Sequence, residues 1–230
     1  MKRLTRLTVA VLLACAAWAP LSSHAVEVLN EGFGDVSKLS GWSQLNNSMP
    51  PGTGWFQGYT DVFGAQRGPG NSYAAANYLG AANGMGVVDN WLITPTLALS
   101  GISTLSFWAR SEGTAGFSDL LEVRFASGSG STAEDFDVLL LTIGGEAAFP
   151  SQWQQWSANL TVEGEGRFAF RYLGDAATLD YVGLDSVRVV TAVPEPTSYL
   201  MLLGGLGVLG ASARRLRRGP AKDTAQNATR

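Results

Sequence analysis

The residues able to carry out covalent or metal chemistry are few in this 230-residue chain, and they sit in the wrong place for it. The single cysteine is Cys15 and the single histidine is His24, both within the first 25 positions. A thiol nucleophile, an imidazole base, a Ser-His-Asp triad or an ordinary zinc site each needs one of these types, so the segment after Ala25 has none of that chemistry. Disulfides are excluded there on the same count. Carboxylates remain, and a pair of them is enough for glycoside hydrolysis. Glu112 and Glu122 lie near strand-like segments, but no compact Glu-x-Asp-x-x-Glu pattern accompanies them, and isolated acids at strand ends ordinarily face water. Glu134-Asp135-Phe136-Asp137 lacks calcium-loop spacing and reads as a solvated turn. The glycine pairs at 52 and 54, 68 and 70, and 84 and 86 lack the Gly-Lys-Ser/Thr ending that cradles a phosphate, so they are turns. The chain is not read as an enzyme.

Binding chemistry is better supplied. Trp91 lies in the apolar run Trp91-Leu92-Ile93 and is assigned to the core, with Asp89 and Asn90 before it satisfying turn backbone and Pro95 ending the strand. Trp42 and Trp55, and after them Tyr59 and Phe63, stand among Gly, Asn, Gln and Pro, where an aromatic side chain can be exposed on a loop. Trp42 and Trp55 are therefore the candidate ligand contacts. Charge narrows the ligand class: between Val26 and Val193 there are seven basic residues against 17 acidic ones, a net charge of −10. A body so acidic cannot assemble the basic stripe that nucleic acid requires.

The elements that must position these residues are strands. Thr104 to Arg110, Leu120 to Phe125, Asp137 to Ile143, Trp153 to Leu160, Arg167 to Leu173 and Tyr181 to Val190 are short, alternate apolar with polar residues, and are rich in β-branched and aromatic types. Gly, Asn, Ser and Pro punctuate them, and Ser127-Gly128-Ser129-Gly130-Ser131 reads as a flexible hairpin tip. Many strands without intervening helices predict an all-β fold, an antiparallel β-sandwich of jelly-roll type, over residues 26–192.

Both flanks of that body read as addresses. Lys2, Arg3 and Arg6 precede an apolar stretch from Leu7 to Ala19 and the small residues around His24, which predicts a secretory signal peptide over 1–25. A lipoprotein signal at Leu12-Leu13-Ala14-Cys15 is the rival reading. At the other end, Val193-Pro194-Glu195-Pro196 is followed by an uncharged run, Ser198 to Ala213, and then Arg214, Arg215, Arg217 and Arg218. Tyr199 and the arginines extend that run to the length of a membrane-spanning helix over 198–213, with the arginines cytoplasmic and the body outside the inner membrane. This order resembles the PEP-CTERM sorting signal of Gram-negative bacteria. The resemblance covers 193–218 and implies an exosortase, a membrane-embedded cysteine protease, as a partner that processes the tail near Pro-Glu-Pro. Residues 219–230 continue as a polar, basic extension past the usual end of such tails.

A second resemblance covers nearly all of the body. Asn30-Glu31-Gly32-Phe33, Gly41-Trp42, Val88-Asp89-Asn90-Trp91-Leu92-Ile93-Thr94-Pro95, Thr104 to Ala109, Leu121-Glu122-Val123, the Gly166 to Tyr172 segment and Gly183-Leu184-Asp185-Ser186-Val187 resemble a choice-of-anchor J domain, which is similar to cleaved-adhesin modules. It implies a β-sandwich without a general catalytic assignment. By analogy with jelly-roll modules that clamp their first and last strands with one structural calcium, Glu31 and Asp185 are candidate metal ligands; no other cofactor is expected. The expectation is a noncatalytic protein, exported across the inner membrane, transiently anchored, then placed at the cell surface or in the extracellular matrix. The secretion machinery, the membrane and exopolysaccharide are the other expected partners. A carbohydrate-binding adhesin, a structural matrix component and a glycan-active module are the competing forms of it.

Overall fold

The computed structural model describes residues 25–192 and Gly207. The expected leader, apart from Ala25, and the expected sorting tail with its membrane helix over 198–213, apart from Gly207, lie outside the described residues. Among the described residues no helix is long and apolar enough to cross a membrane.

Alternation fixes the strands. In β7 (Ile102–Ser111), Ser103, Leu105, Phe107, Ala109 and Ser111 are buried and the residues between them are more open, the period of two that a strand with one core face must show. One sheet runs β10 (Gln154–Thr161), β7, β12 (Tyr181–Ala192), β4 (Ala74–Asn77), β3 (Phe56–Gln57), with β1 (Ala25–Glu31) also on β12. The other runs β2 (Ser43–Asn46), β5 (Val87–Ile93), β11 (Gly164–Asp175), β8 (Leu120–Ser127), β9 (Val138–Gly144), with β6 (Leu97–Leu99) also on β11. The pairings within both sheets are antiparallel. This is the sandwich the sequence predicts, and each of the six predicted segments falls on one of the strands β7 to β12.

The inner faces meet in one apolar layer. Phe107 of the first sheet reaches Phe170 of the second edge to face, ring centres 5.1 Å apart, and Leu105, Leu184, Leu92, Leu121 and Phe168 close around them. Each such phenylalanine contributes about 3 kcal/mol by leaving water. Both outer faces also carry apolar clusters. On the second sheet Trp91, Ile93, Ala169 and Phe136 pack together. Trp91 is thus buried as expected, but on the far side of its sheet. Asp89 and Asn90 are strand residues of β5 and not a turn: Asp89 accepts Arg171 Nε at 2.6 Å, and Asn90 is fully buried with its amide donating to the Thr53 carbonyl. Their polar side chains had suggested a turn, yet pairing with β2 and β11 on both edges holds them in the sheet. The expected hairpin tip joins β8 to β9, and it is pinned: Asp135 accepts the Ser131 and Thr132 amides, and the Gly130 carbonyl accepts Arg167.

On the first sheet the 58–73 segment folds over the outer face and lays Phe63 and Tyr73 beside Tyr181. Phe63 stacks on Tyr73 at 5.0 Å, and Trp153 meets it edge-on while donating its indole N–H to the Gly64 carbonyl. Gly183 of β12 lies under this cover, where an added Cβ would come within 2.8 Å of the Phe63 ring. The segment is tied to the sheet by Asp185, a fully buried carboxylate. Along one edge of β12, β4 pairs with Tyr181–Leu184 and β1 with Val187–Ala192, so the ladder is interrupted between them. Asp185 fills that interruption. Its Oδ2 accepts the Gln66 and Arg67 amides at 2.9 and 3.1 Å, and its Oδ1 accepts the Ser186 amide.

A second buried carboxylate, Asp119, closes the far end of the sandwich by accepting the Tyr172 hydroxyl and the Asp180 amide at 2.9 Å. Burial pushes its pKa up, and the two hydrogen bonds only partly pull it back. A carboxyl whose folded pKa is raised stabilises the fold fully below its unfolded pKa, near 4, and loses that contribution as pH rises through the folded value. Asp119→Asn keeps an acceptor oxygen for both donors and cannot ionise. Urea denaturation at several pH values should show this variant gaining stability relative to the parent between about pH 4 and pH 7, and parallel curves would contradict the assignment.

Candidate functional site

The outward residues of the first sheet build a cleft where the cover provided by residues 58–73 ends. Because directly paired residues share a face, register alone sets out its floor. Gln155 of β10 faces Trp108 of β7, which in turn faces Asp185 of β12. One step along, Ser106 of β7 faces Arg188 of β12, which faces Asn30 of β1. Gln66 and Arg67, held from below by Asp185, form the wall. The Ser186 hydroxyl donates to Gln66 Oε1 at 2.9 Å and fixes that wall from the side. The resulting cleft has a volume of about 710 Å³.

Its chemistry is that of binding. A partly exposed indole supplies an apolar plate, amides and a hydroxyl surround it, and two guanidinium groups sit at the edge. No carboxylate lines the cleft among the described residues, so it holds no acid–base pair. The two acids weighed for hydrolysis are used elsewhere. Glu122 accepts Arg124 and Arg171 at 2.7 and 3.2 Å on the other sheet. Glu112 follows the end of β7, its pKa raised by burial and by neighbouring Asp180 and Asp119.

The structure differs from the loop exposure expected of Trp42 and Trp55. Trp55 is 4% exposed, packs in the main core and donates its indole N–H to the Asn90 carbonyl at 3.2 Å. The glycines around it serve close approach and not loop exposure: a Cβ on Gly52 would lie 2.3 Å from the Leu79 carbonyl oxygen, and one on Gly54 would lie 2.5 Å from Gln44 Oε1. Trp42 is half-buried, edge-on to Phe33 at 5.4 Å and packed against the same core. Phe63 is buried and Tyr59 is exposed, both in the 58–73 cover. Trp108, which the loop criterion passed over, has a sequence signal of its own. It falls in phase with Thr104, Ser106 and Arg110, opposite to Leu105, Phe107 and Ala109.

Glu31 and Asp185 lie on adjacent strands, Glu31 facing Val187 two residues beyond Asp185. Each is followed by a strained backbone: Phe33 has φ 50° and gives its amide to Glu31 Oε1 at 2.7 Å, and Ser186 has φ 51°. No set of three or more His, Cys, Asp or Glu converges among the described residues. Register sets the two on opposite faces, Glu31 on that of Val187 in the core and Asp185 on that of Trp108, and the Asp185 oxygens already accept three backbone amides, so a hard cation would have to draw the two carboxylates together round the strand and displace those bonds.

Known proteins place this sandwich in a family. The Cleaved Adhesin Domain family matches residues 26–189, and the PEP-CTERM protein-sorting motif matches residues 192–218. Lys-gingipain W83 of Porphyromonas gingivalis is 29% identical over 203 residues, covering 78% of this chain and 11% of that protein. Hemagglutinin A of the same species is 32% identical over 133 residues, covering 54% of this chain and 5% of that protein. The chain thus spans a small part of the length of the curated relatives it matches. The crystal structure of the K3 cleaved adhesin domain of Lys-gingipain superposes with a TM-score of 0.55 at 26% identity, covering 73% of this chain and 99% of that domain. The chain belongs to the cleaved adhesin domain family, as an exported binding or adhesion β-sandwich joined to a PEP-CTERM sorting motif.

Proposed function

We propose that this protein is a noncatalytic cell-surface adhesion module that holds strands of exopolysaccharide in the Trp108 cleft. The observation that carries the reading is the floor of that cleft: an indole plate in line with Gln155, beside a row of Ser106, Arg188 and Asn30. A sugar ring presents an apolar face with hydroxyls around its edge, and this floor offers the complementary pattern. Affinity of the body, residues 26–193, for the host's exopolysaccharide tests the reading. Trp108→Ala should weaken retention about 30-fold, the effect of losing an anchor worth on the order of 2 kcal/mol. Trp42→Phe, which keeps the packing on Phe33, should leave it unchanged. No retention of the parent overturns the proposal.

Delivery is the second part of the proposal. Exosortase would act on Val193 to Arg218 after the leader has taken the body across the inner membrane, leaving the sandwich on the surface or released. Intact mass measurement after cell fractionation should give a C-terminus near Pro194 to Pro196. A species ending at Arg230 in the inner membrane contradicts it.

Calcium at Glu31 and Asp185 is the third part, resting on their place on neighbouring strands at one end of the sheet. Thermal unfolding of residues 26–193 in calcium should lie several degrees above unfolding in chelator. Superimposable curves would leave Asp185 only its role as acceptor for the 66–67 amides.

A further inference from the structure

The cations of the body are almost all occupied. Lys38 pairs with Asp35, Arg124 with Glu122, and Arg171 with Asp89 and Glu122. Arg167 is buried and gives its guanidinium to the Thr94 and Gly130 carbonyls and to Ser43 Oγ. Arg110 lies 4.1 Å over the Phe63 ring and donates to the Ser111 and Ser151 carbonyls. Two cations are left, and both line the Trp108 cleft. Arg188 gives only its Nε, to Glu27, with the two side chains 52% and 37% exposed. An ion pair so exposed is worth little and is easily exchanged. Arg67 is exposed, and among the described residues it is the one cation whose guanidinium has no hydrogen-bond or ion-pair partner. Its backbone is nevertheless fixed, because its amide is held by the buried Asp185.

We infer that the cleft selects an acidic glycan, a segment carrying uronate or other carboxylated sugars, with Arg67 and Arg188 reading the sugar carboxylate beside the Trp108 plate. This rests on the glycan-binding reading of the cleft and adds the substrate class. Two guanidinium groups at the rim of one cleft, one of them without a partner among the described residues, are the donors a carboxylated ligand would use. Arginine presents a planar fork that matches a carboxylate with two parallel bonds. The net charge of −10 on the body does not prevent this. At physiological salt charges beyond about 8 Å are screened, so the guanidinium groups in contact with the ligand outweigh the distant acids. Among the described residues that line the cleft there is no carboxylate; the nearest are Glu27, whose exposed pair with Arg188 a bound carboxylate would exchange, and Asp185, whose oxygens are taken by the Gln66, Arg67 and Ser186 amides.

The test is calorimetric titration of residues 26–193, which hold every strand and all three apolar clusters, with polygalacturonate, alginate and hyaluronate, and with the carboxyl-reduced form of each. At least one acidic polymer should bind, with its reduced form at least tenfold weaker and with affinity falling as salt rises. Arg67→Gln, which removes an exposed side chain that makes no internal bond, should lower affinity for the acidic polymer at least about threefold toward that of its reduced form, Arg188 keeping the remainder. Trp108→Ala should weaken binding of both about 30-fold. Equal affinity for acidic and reduced polymers, or an Arg67→Gln variant that binds like the parent, overturns the acidic preference and leaves the glycan cleft standing. Binding to none of the six polymers, together with no retention on the host's exopolysaccharide, overturns both. Retention on that exopolysaccharide with none of the six bound overturns the acidic preference alone.

Discussion

β12 has different neighbours on the two halves of one edge, and much of the molecule depends on how the interruption between them is closed. A strand interior that loses its partner leaves backbone groups without hydrogen bonds, each costing about 1–3 kcal/mol if it stays dry. Here the interruption coincides with a register shift against β7 and with the left-handed Ser186, and it is filled by a carboxylate that reaches a segment nearly 120 residues earlier. Burial alone disfavours the ionised form of Asp185, raising its pKa, and three backbone amides work against that. The 58–73 segment has no strand of its own. Its position follows from the aromatic stack on Tyr181, the Trp153 bond to the Gly64 carbonyl and the Asp185 bonds, and the wall of the Trp108 cleft is the middle of that segment.

Long, regularly alternating strands were legible in the sequence because one buried face is enough to impose a period of two, and β7 shows it without exception. Of the strands before β7 only the 91–93 part of β5 was legible: β3 and β6 have two and three residues, in which no period can show, and β1 is broken by a bulge. The exposure expected of Trp55 misled for a related reason. Surroundings of Gly and Pro are the same whether a chain is exposed or runs tight against another backbone, and Trp55 belongs to the second case. Trp108 was readable from its phase. Its companions were not, because Arg67 and Asn30 join it only through β12.

Charge is distributed with similar economy. The second sheet pairs partly buried acids and arginines with each other, in the Asp89, Arg171, Glu122 and Arg124 ladder, with Arg171 also 4.8 Å over the Trp91 ring. That face is neutralised and covered. On the first sheet Arg110 is taken up by Phe63 and two carbonyls, while Arg188 faces the cleft, so the two faces of one sandwich differ in what they offer a partner although both bury aromatic clusters.

The pairing of the first strand with the last has a mechanical side. Ala25 lies opposite Ala192, so both ends of the sandwich leave from one place, and Arg188 stands four residues from that exit, roughly 13 Å along the strand. A pull on the chain beyond Ala192, resisted by a ligand in the cleft, travels along β12 between those two points. Over that stretch β12 is flanked by β1 on one edge and β7 on the other. The load therefore meets two hydrogen-bonded ladders in shear, all of whose bonds must give together, whereas a load across the sheet would open them one at a time.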